Sequence, residues 1–353
     1  MGPRLRVCTY NVLLGGAGRW ERLADLLRAA DADLVALQEV DWPEPCRQVA
    51  DALGYRMVFG RANMPRHQAV LSRLPIVEQR NHRDPRTFLR NSLEVTVAAP
   101  GGASFPRLRI HTVHLPAAFH RRGRGEPERV RELAAVRRHA ARAPATPHLL
   151  VGDCNAVAPG DPVAASAFFA RMSRWRRAGV LEAAGAIGPV PPLVERLARW
   201  RAATTRPGPG AAAPDPEAVA AAAAALDDGE LPEGLGAGLP RLPWLLHPLL
   251  ERLPRGSGTD LVLGSLVPRD AVQSVLDAGY RDCRPPAAAG RPPFTCPTYE
   301  PAVRIDYVFA SPELAPSWRR SVVLGRHDRW STLARRASDH FPVVATFRLD
   351  GAA

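Results

Sequence analysis

Six short polar segments stand at or near the ends of apolar, β-branched-rich runs in this chain of 353 residues. Such runs are typical of β-strands, and a polar residue at a strand end lies at the rim of a sheet. The segments are Tyr10-Asn11, Gln38-Glu39, His114, Asp153-Cys154-Asn155, Arg304-Ile305-Asp306-Tyr307 and Ser338-Asp339-His340. Acids, amides and histidines at several strand ends can converge on one site, so the pattern indicates a catalytic centre.

Two of these segments carry groups that suit a metal ion. Glu39 follows a buried run, where a carboxylate is costly unless it meets a cation. A hard divalent ion such as Mg²⁺ or Mn²⁺ is its natural partner, although a salt bridge at a sheet end is an alternative. Asn11 ends the first run and offers both a carbonyl oxygen and an amide donor to a metal-bound water or a phosphate oxygen.

The remaining acids and histidines are spaced for acid-base work. Gly152 lets the chain turn, after which Asp153 and Asn155, two apart in extended backbone, point to the same side. Asp306 interrupts an apolar strand and needs a buried partner, which we take to be His340. Asp339 and His340 diverge because they are adjacent, so one can serve a metal and the other the reacting water. A single histidine is more often structural, but these neighbouring acids favour catalysis.

The elements that must position these groups form an alternating α/β pattern. We predict helices at 19–30, 127–142 and 271–278, and strands at 5–10, 34–37, 56–60, 68–73, 91–97, 107–114, 148–152, 305–310, 320–324 and 343–348. Several neighbouring strands, such as 68–73 and 91–97, are joined without a clear helix. Much of the strand pairing should therefore be antiparallel or mixed.

A region at about 160–270 interrupts this pattern with helical segments separated by proline and glycine. We predict these helices at 163–177, 192–200, 217–226 and 245–252. An alanine-rich helix or a disordered linker is the simpler interpretation of 201–240, and a cap over the active site is the alternative. We therefore expect a single domain over 1–353, interrupted by this helical, partly low-complexity insertion.

Composition limits the cellular context. The 47 basic residues are all arginines and the net charge is +12. This charge is compatible with polyanionic partners, but a codon bias explains an arginine-only chain at least as well. The five cysteines form no Cys-x-x-Cys pair and are expected to be reduced thiols. With no apolar signal segment and no long apolar run, the expectation is a cytoplasmic monomer, and the sequence does not support contact with a membrane surface.

The segments resemble those of the endonuclease/exonuclease/phosphatase superfamily. This superfamily includes pancreatic-type deoxyribonucleases, abasic-site endonucleases, neutral sphingomyelinases and inositol-polyphosphate 5-phosphatases. The matching motifs occur in the family's order over about 1–160 and 270–350. They are Thr9-Tyr10-Asn11, Leu37-Gln38-Glu39, Leu71-Ser72-Arg73-Leu74-Pro75-Ile76, His111-Thr112-Val113-His114-Leu115, Gly152-Asp153-Cys154-Asn155-Ala156, Arg304-Ile305-Asp306-Tyr307 and Ser338-Asp339-His340-Phe341-Pro342.

The resemblance implies a deoxyribonuclease I-like fold, a four-layer α/β/β/α sandwich of two mixed, largely antiparallel sheets. It also implies a Mg²⁺- or Mn²⁺-dependent phosphoester hydrolase acting on a phosphorylated substrate. Glu39, Asn11 and Asp339 resemble the metal ligands. The groups that resemble catalytic residues are His340, Asp306, Asp153, Asn155 and His114.

Several features leave the substrate open. His114 is preferred over His111 because the family pattern places its histidine directly before Leu115, and residues three apart on a strand face opposite ways. Arg121 and Arg122, with Arg336 before Asp339, are expected to attract phosphate at the rim, although ordinary solvated arginines are equally compatible. The function classes are a phosphodiesterase acting on nucleic acid, a hydrolase of phospholipid or small phosphorylated molecules, and, as a remote alternative, a non-catalytic binding protein.

Overall fold

The computed structural model describes residues 2–16, 18–117, 125–143, 146–177, 252–288 and 290–349. The predicted helices at 192–200 and 217–226, and most of the one at 245–252, lie outside these residues, as does the proposed cap. In the described part of the chain, twelve strands form two sheets of six.

The first sheet has the order β11-β12-β1-β2-β4-β3. Its strands are β1 (Arg4–Asn11), β2 (Leu34–Val40), β3 (Arg56–Gly60), β4 (His67–Ser72), β11 (Trp318–Val323) and β12 (Val343–Arg348). The chain passes from β1 through helix α1 (Trp20–Ala30) to β2, which pairs with β1 in parallel. The other pairs are antiparallel. The end of β1 and the start of β12 therefore lie side by side, with Thr9 opposite Val343.

The second sheet has the order β5-β6-β7-β8-β10-β9. Its strands are β5 (Ile76–His82), β6 (Ser92–Ala98), β7 (Arg107–His114), β8 (His148–Asp153), β9 (Arg281–Asp282) and β10 (Asp306–Ala310). Again one central pair, β7 and β8, is parallel and is connected by a helix, α3 (Gly125–Ala140). The other pairs are antiparallel, so the prediction of two mixed, largely antiparallel sheets is confirmed.

Side-chain alternation along the strands builds four layers. Leu5 and Val7 of β1 point into the space between the sheets, where they join apolar residues of β2, β6, β7, β8, β10 and β12. Tyr10 points the other way, against α1, α2 (Pro43–Ala52) and α7 (Ser331–Ala337). On the outer face of the second sheet, Leu150 packs with α3 and α6 (Asp270–Asp277). Each fully buried apolar side chain stabilises the fold by about 1.5–3 kcal/mol.

Several elements were not predicted from the sequence, among them strand β5 and helix α2. Strand β5 is an edge strand whose side chains are largely exposed, so it carries no apolar run. Helix α2 begins with two prolines around Glu44 and buries only Cys46, Val49 and Ala50. Residues 68–73 and 91–97 are not consecutive strands, because β5 lies between β4 and β6 along the chain, but no helix connects them, as predicted.

The flanks of the predicted insertion are helical. Helix α4 (Ala165–Arg177) contacts α5 (Ser257–Ser265), where the Ser166 backbone N–H donates to the Asp260 carboxylate over 2.8 Å. None of the described helices is both long and apolar enough to span a bilayer. All five cysteines are free, and Cys154 is 1% exposed and packs in the core.

Candidate active site

Strand register brings the polar segments to one edge of the two sheets. Asp153, the last residue of β8, lies opposite His114 of β7 on one side and opposite Asp306 of β10 on the other. The first sheet contributes Asn11 at the end of β1, whose side-chain amide donates to Asp153 Oδ2 over 3.1 Å. Asp153 is therefore the point at which both sheets meet.

Glu39 owes its position to a β-bulge. The register between β2 and β4 shifts between Gln38 and Val40, and Glu39 has a left-handed φ of 63°. Such a bulge re-aims a side chain at the sheet rim. Glu39 Oε2 accepts the Leu14 N–H at 2.9 Å, and Glu39 Oε1 lies 3.4 Å from Arg66 Nη1. Burial would raise the pKa of Glu39, but Arg66, His114 and the Leu14 N–H outweigh it and lower that pKa.

Gln38 has a structural task that its sequence did not reveal. Its side-chain amide donates to Thr112 Oγ1 across the space between the sheets over 3.2 Å, and its carbonyl oxygen accepts from Thr9 Oγ1 over 3.2 Å. All three residues are fully buried. This polar bridge fixes β2 against β7 directly behind the site, so the Gln-Glu pair combines one positioning residue with one site residue.

Asn11 is oriented as a donor. Its Nδ2 lies 3.4 Å from Glu39 Oε1 and 3.1 Å from Asp153 Oδ2, while its Oδ1 accepts the Leu13 N–H at 3.0 Å. In this orientation the amide organises two carboxylates and does not present an oxygen to a metal. The structure therefore brings Asn11 to the site, where its amide hydrogens are directed at the two carboxylates; its role beside a metal stays a prediction.

Asp153 and Asn155 share one pocket, but not through extended backbone. Asn155 has a left-handed φ of 47°, and its N–H folds back onto Asp153 Oδ1 at 2.8 Å. Its side-chain Nδ2 lies 3.2 Å from Asp153 Oδ2 and 3.1 Å from the Leu115 carbonyl oxygen. Burial raises the pKa of Asp153, and Asp306 raises it further, while His340 opposes them.

Gly152 is required by close strand packing. A Cβ at this position would lie 2.0 Å from the Val113 carbonyl oxygen of β7, and φ is 141°. The glycine thus allows β8 to approach β7, and the sharp turn that the sequence suggested is not its main reason.

His340 and Asp306 form the predicted pair. His340 Nδ1 and Asp306 Oδ2 are 2.9 Å apart, and His340 Nε2 points toward Asp153 Oδ2 at 3.9 Å. Burial would lower the pKa of His340, but Asp306, Cys296 and Asp339 raise it well above its usual value. The Ser338 hydroxyl donates to the Asn11 carbonyl oxygen over 2.7 Å, which ties this loop to β1.

His114 is buried between the two acids at the sheet junction. Its Nε2 lies 3.7 Å from Glu39 Oε1 and 3.6 Å from Asp153 Oδ2. Burial lowers its pKa well below the usual value, and the Arg90 guanidinium, which donates to the His114 and Leu115 carbonyl oxygens, lowers it further. His111 faces the opposite way, against His148.

The donor set fits a hard divalent cation. Glu39, Asp153 and Asp306 are buried carboxylates, and the Asp339 carboxylate, 17% exposed, lies 4.0 Å from His340 Nε2. Burial raises the pKa of Asp339 and the nearby Glu39 raises it further, while His340 opposes them. Asp153, Asp306 and His340 also offer ligand atoms within 4.8 Å of one another. Carboxylate oxygens are ligands that a hard divalent cation prefers, and the predicted ligand roles of Glu39, Asp339 and Asn11 stay predictions.

The described residues do not place the predicted arginines together at the rim of the site. Arg121 and Arg122 lie outside the described residues. Arg336 is half-buried on α7, and within the described chain it forms no ion pair with the acids of the site. The cation beside Glu39 is instead Arg66, which sequence reasoning missed. Its left-handed φ of 82° and its backbone N–H bond to Asp41 are tertiary features with no local signal.

A family model matches most of the chain. The model of the endonuclease/exonuclease/phosphatase family matches residues 8–340, nearly the whole chain. The chain belongs to the endonuclease/exonuclease/phosphatase family. Members of this family are phosphoester hydrolases of the nuclease and phosphatase type, and the chain is such an enzyme.

Solved structures share the family's fold. An endonuclease/exonuclease/phosphatase from Beutenbergia cavernae is 20% identical, with a TM-score of 0.53 over 99% of this chain and 72% of that chain. A 3′ phosphatase from Neisseria, solved with a product DNA hairpin, is 16% identical, with a TM-score of 0.53 over 97% and 99%. An AP endonuclease from Archaeoglobus fulgidus is 14% identical, with the same TM-score and coverage. No curated protein sequence matches significantly.

Proposed function

We propose that this enzyme is a divalent-metal-dependent phosphodiesterase that cleaves nucleic acid or another phosphodiester by in-line attack of water. The observation that carries the proposal is the surroundings of Asp153, where His340 Nε2, His114 Nε2 and two side-chain amides converge on one carboxylate from both sheets. Such a convergence of an acid, two imidazoles and fixed amide donors is typical of a catalytic site and suits phosphoryl transfer.

Glu39 and Asp339 would hold the metal, which we expect to be Mg²⁺ or Mn²⁺. When bound, the metal supplies electrostatic stabilisation of negative charge on phosphoryl and leaving oxygens. The grouping of Glu39 and Asp339 with Asp153 and Asp306 at one edge of the sheets supports this assignment. Asn11 would keep Glu39 and Asp153 in place through its amide hydrogens.

Three residues of the chain have separate roles in the proposed reaction. His340, held by Asp306 at 2.9 Å, presents Nε2 to the phosphate and stabilises the charge that develops in the transition state. Asp153, with both oxygens fixed by Asn11 and Asn155, orients the attacking water and takes its proton. His114, buried and neutral, is placed to donate to a phosphate oxygen.

We prefer nucleic acid as the substrate class because of two structural relatives. One was solved with a DNA hairpin product, and another is an AP endonuclease. These likenesses show the fold alone, and the extension to this chain is part of the proposal.

A panel assay tests the proposal. Purified protein with Mg²⁺ or Mn²⁺ is incubated with plasmid DNA, RNA, bis-aryl phosphate, aryl phosphate, sphingomyelin and inositol phosphates. Glu39→Ala and His340→Ala should each lower turnover by roughly three or more orders of magnitude, because both groups act mainly in the transition state. His327→Ala, at an exposed histidine outside the site, is the matched control and should match the wild type. Absence of turnover on every substrate, or wild-type activity in both site variants, would refute the proposal.

A further inference from the structure

A second cavity lies on the outer face of the second sheet, away from the acids of the active site. It has a volume of about 730 Å³ and lies between the β5–β6 connection and the C-terminal half of α3. Phe88 and Ala135 form its buried base, and Arg83, Arg138 and Arg142 lie at its exposed rim. A cavity of this size accommodates a ligand as large as a nucleotide.

The rim carries uncompensated positive charge. Within the described residues, none of the guanidinium groups of Arg83, Arg138 and Arg142 forms a hydrogen bond or an ion pair. The acid lining the cavity is Asp84, and its two oxygens already accept the Arg86 N–H at 3.1 Å and the Thr87 hydroxyl at 2.9 Å. The three guanidinium groups around this cavity are therefore available to bind an anion.

Two stacked imidazoles form the wall between rim and base. The rings of His82 and His139 are 3.9 Å apart with an interplanar angle of 13°, and His82 Nε2 is held by Glu94 Oε2 at 2.8 Å. His139 Nδ1 is buried and has no hydrogen-bond partner. Burial is the main reason that the pKa of His139 is lowered to about 4, and His82 and Arg142 act in the same direction. The exposed guanidinium groups at the rim therefore surround the recess with positive charge, which favours an anion over a further cation.

We propose that this cavity is a second anion site, which binds a phosphate-bearing ligand through Arg83, Arg138 and Arg142. The guanidinium groups are geometrically suited to phosphate oxygens, and the histidine wall and the Phe88 base provide planar and apolar surface for the organic part of the ligand. Two sources offer this chemistry, namely a free phosphorylated molecule and the backbone of a polynucleotide strand. The inference does not depend on the reaction proposed above, since none of its residues belongs to the active site.

The test is direct binding to the full-length protein at low salt with EDTA present. Calorimetric titration with pyrophosphate and with a mononucleotide forms one arm, and fluorescence anisotropy with a labelled single-stranded oligodeoxynucleotide forms the other. The variant carries Arg83→Gln, Arg138→Gln and Arg142→Gln. The matched control carries Arg28→Gln, Arg47→Gln and Arg56→Gln, which remove the same charge from exposed positions on the other sheet and its helices.

The cavity variant should bind at least one ligand class about tenfold or more weakly than the control variant, because charge-assisted contacts are lost. A loss in the pyrophosphate or mononucleotide arm identifies a free phosphorylated ligand, and a loss confined to the oligonucleotide arm identifies a polynucleotide strand. Turnover of a bis-aryl phosphate by the cavity variant should remain at the wild-type level. Equal affinities of the cavity and control variants in both arms would overturn the assignment.

Discussion

Substitution of Gly152 by alanine should force β7 and β8 apart beside Asp153. The added Cβ would lie 2.0 Å from the Val113 carbonyl oxygen and 3.0 Å from the Val113 backbone nitrogen. A carbon–oxygen contact normally needs roughly 3.3 Å, so the strands must separate by about 1.3 Å at this point. Because the obstacle is backbone, no side-chain rotation can relieve it.

Two costs add at this position. Overpacking of a close-packed interior costs about 1–3 kcal/mol, and a non-glycine residue at an unfavourable φ costs about 1–3 kcal/mol more. We therefore expect Gly152→Ala to lower the free energy of unfolding by about 2–6 kcal/mol. Activity should fall as well, by roughly a hundredfold, because a displacement of about 1 Å separates Asp153 from His114.

Urea unfolding and turnover of a bis-aryl phosphate measure the two effects. Gly54→Ala is the control, since Gly54 also has a left-handed φ, 73°, but no heavy atom lies within 4 Å of its added Cβ. This variant should lose only about 1–2 kcal/mol and should keep its activity. The steric reasoning would be refuted if both variants had the same free energy of unfolding, or if Gly152→Ala kept wild-type turnover.

Three further predictions concern single side chains. Asp306→Asn should lower kcat by roughly 10²–10⁴-fold with little change in urea unfolding. The reason is that the neutral amide no longer fixes the charged His340 ring. An unchanged kcat would contradict this prediction. Arg66→Gln should tighten Mn²⁺ binding, measured by calorimetry, about tenfold. The reason is that the Arg66 guanidinium, whose Nη1 lies 3.4 Å from Glu39 Oε1, competes with the metal for this carboxylate. Equal or weaker binding by the variant would contradict this prediction. His111 has a pKa lowered to about 3 by burial, so below pH ~6.5 the unfolded state takes up a proton that the native state does not. The native protein should therefore lose about 1.4 kcal/mol of unfolding free energy per pH unit as the pH falls from ~6.5 to ~3, and His111→Phe should remove this loss. Urea unfolding at several pH values measures the effect. Parallel pH profiles of the wild type and the variant would contradict the prediction.

Most of the regular elements could be predicted from the sequence because their signals are local. The apolar runs of β1, β2, β7 and β8 have strand lengths and end in polar residues, and α1 and α3 show helical periodicity. Strand β5 could not be found in this way, because an exposed edge strand needs no apolar face. Helix α2 was hidden by its two N-terminal prolines, which are compatible with a first helical turn but also typical of loops.

The candidate site was only partly accessible to the same reasoning. Asp306 and His340 could be paired because a lone acid in an apolar strand requires a buried partner. The bulge that aims Glu39, the left-handed backbone of Asn155 and the arrival of Arg66 beside Glu39 depend on contacts between distant segments. Propensity and spacing contain no information on such contacts.

The sequence by itself determined the chemistry of this protein: which acids, amides and histidines stand at strand ends, in which order, and hence the family's reaction class. The tertiary structure alone decided which of these groups touch, how Asn11 is oriented, and where free arginines gather into a second cavity. The physical reason is that strand ends are encoded by local alternation, whereas register, bulges and sheet packing arise from pairing between distant segments, where a shift of one residue turns every side chain to the other face.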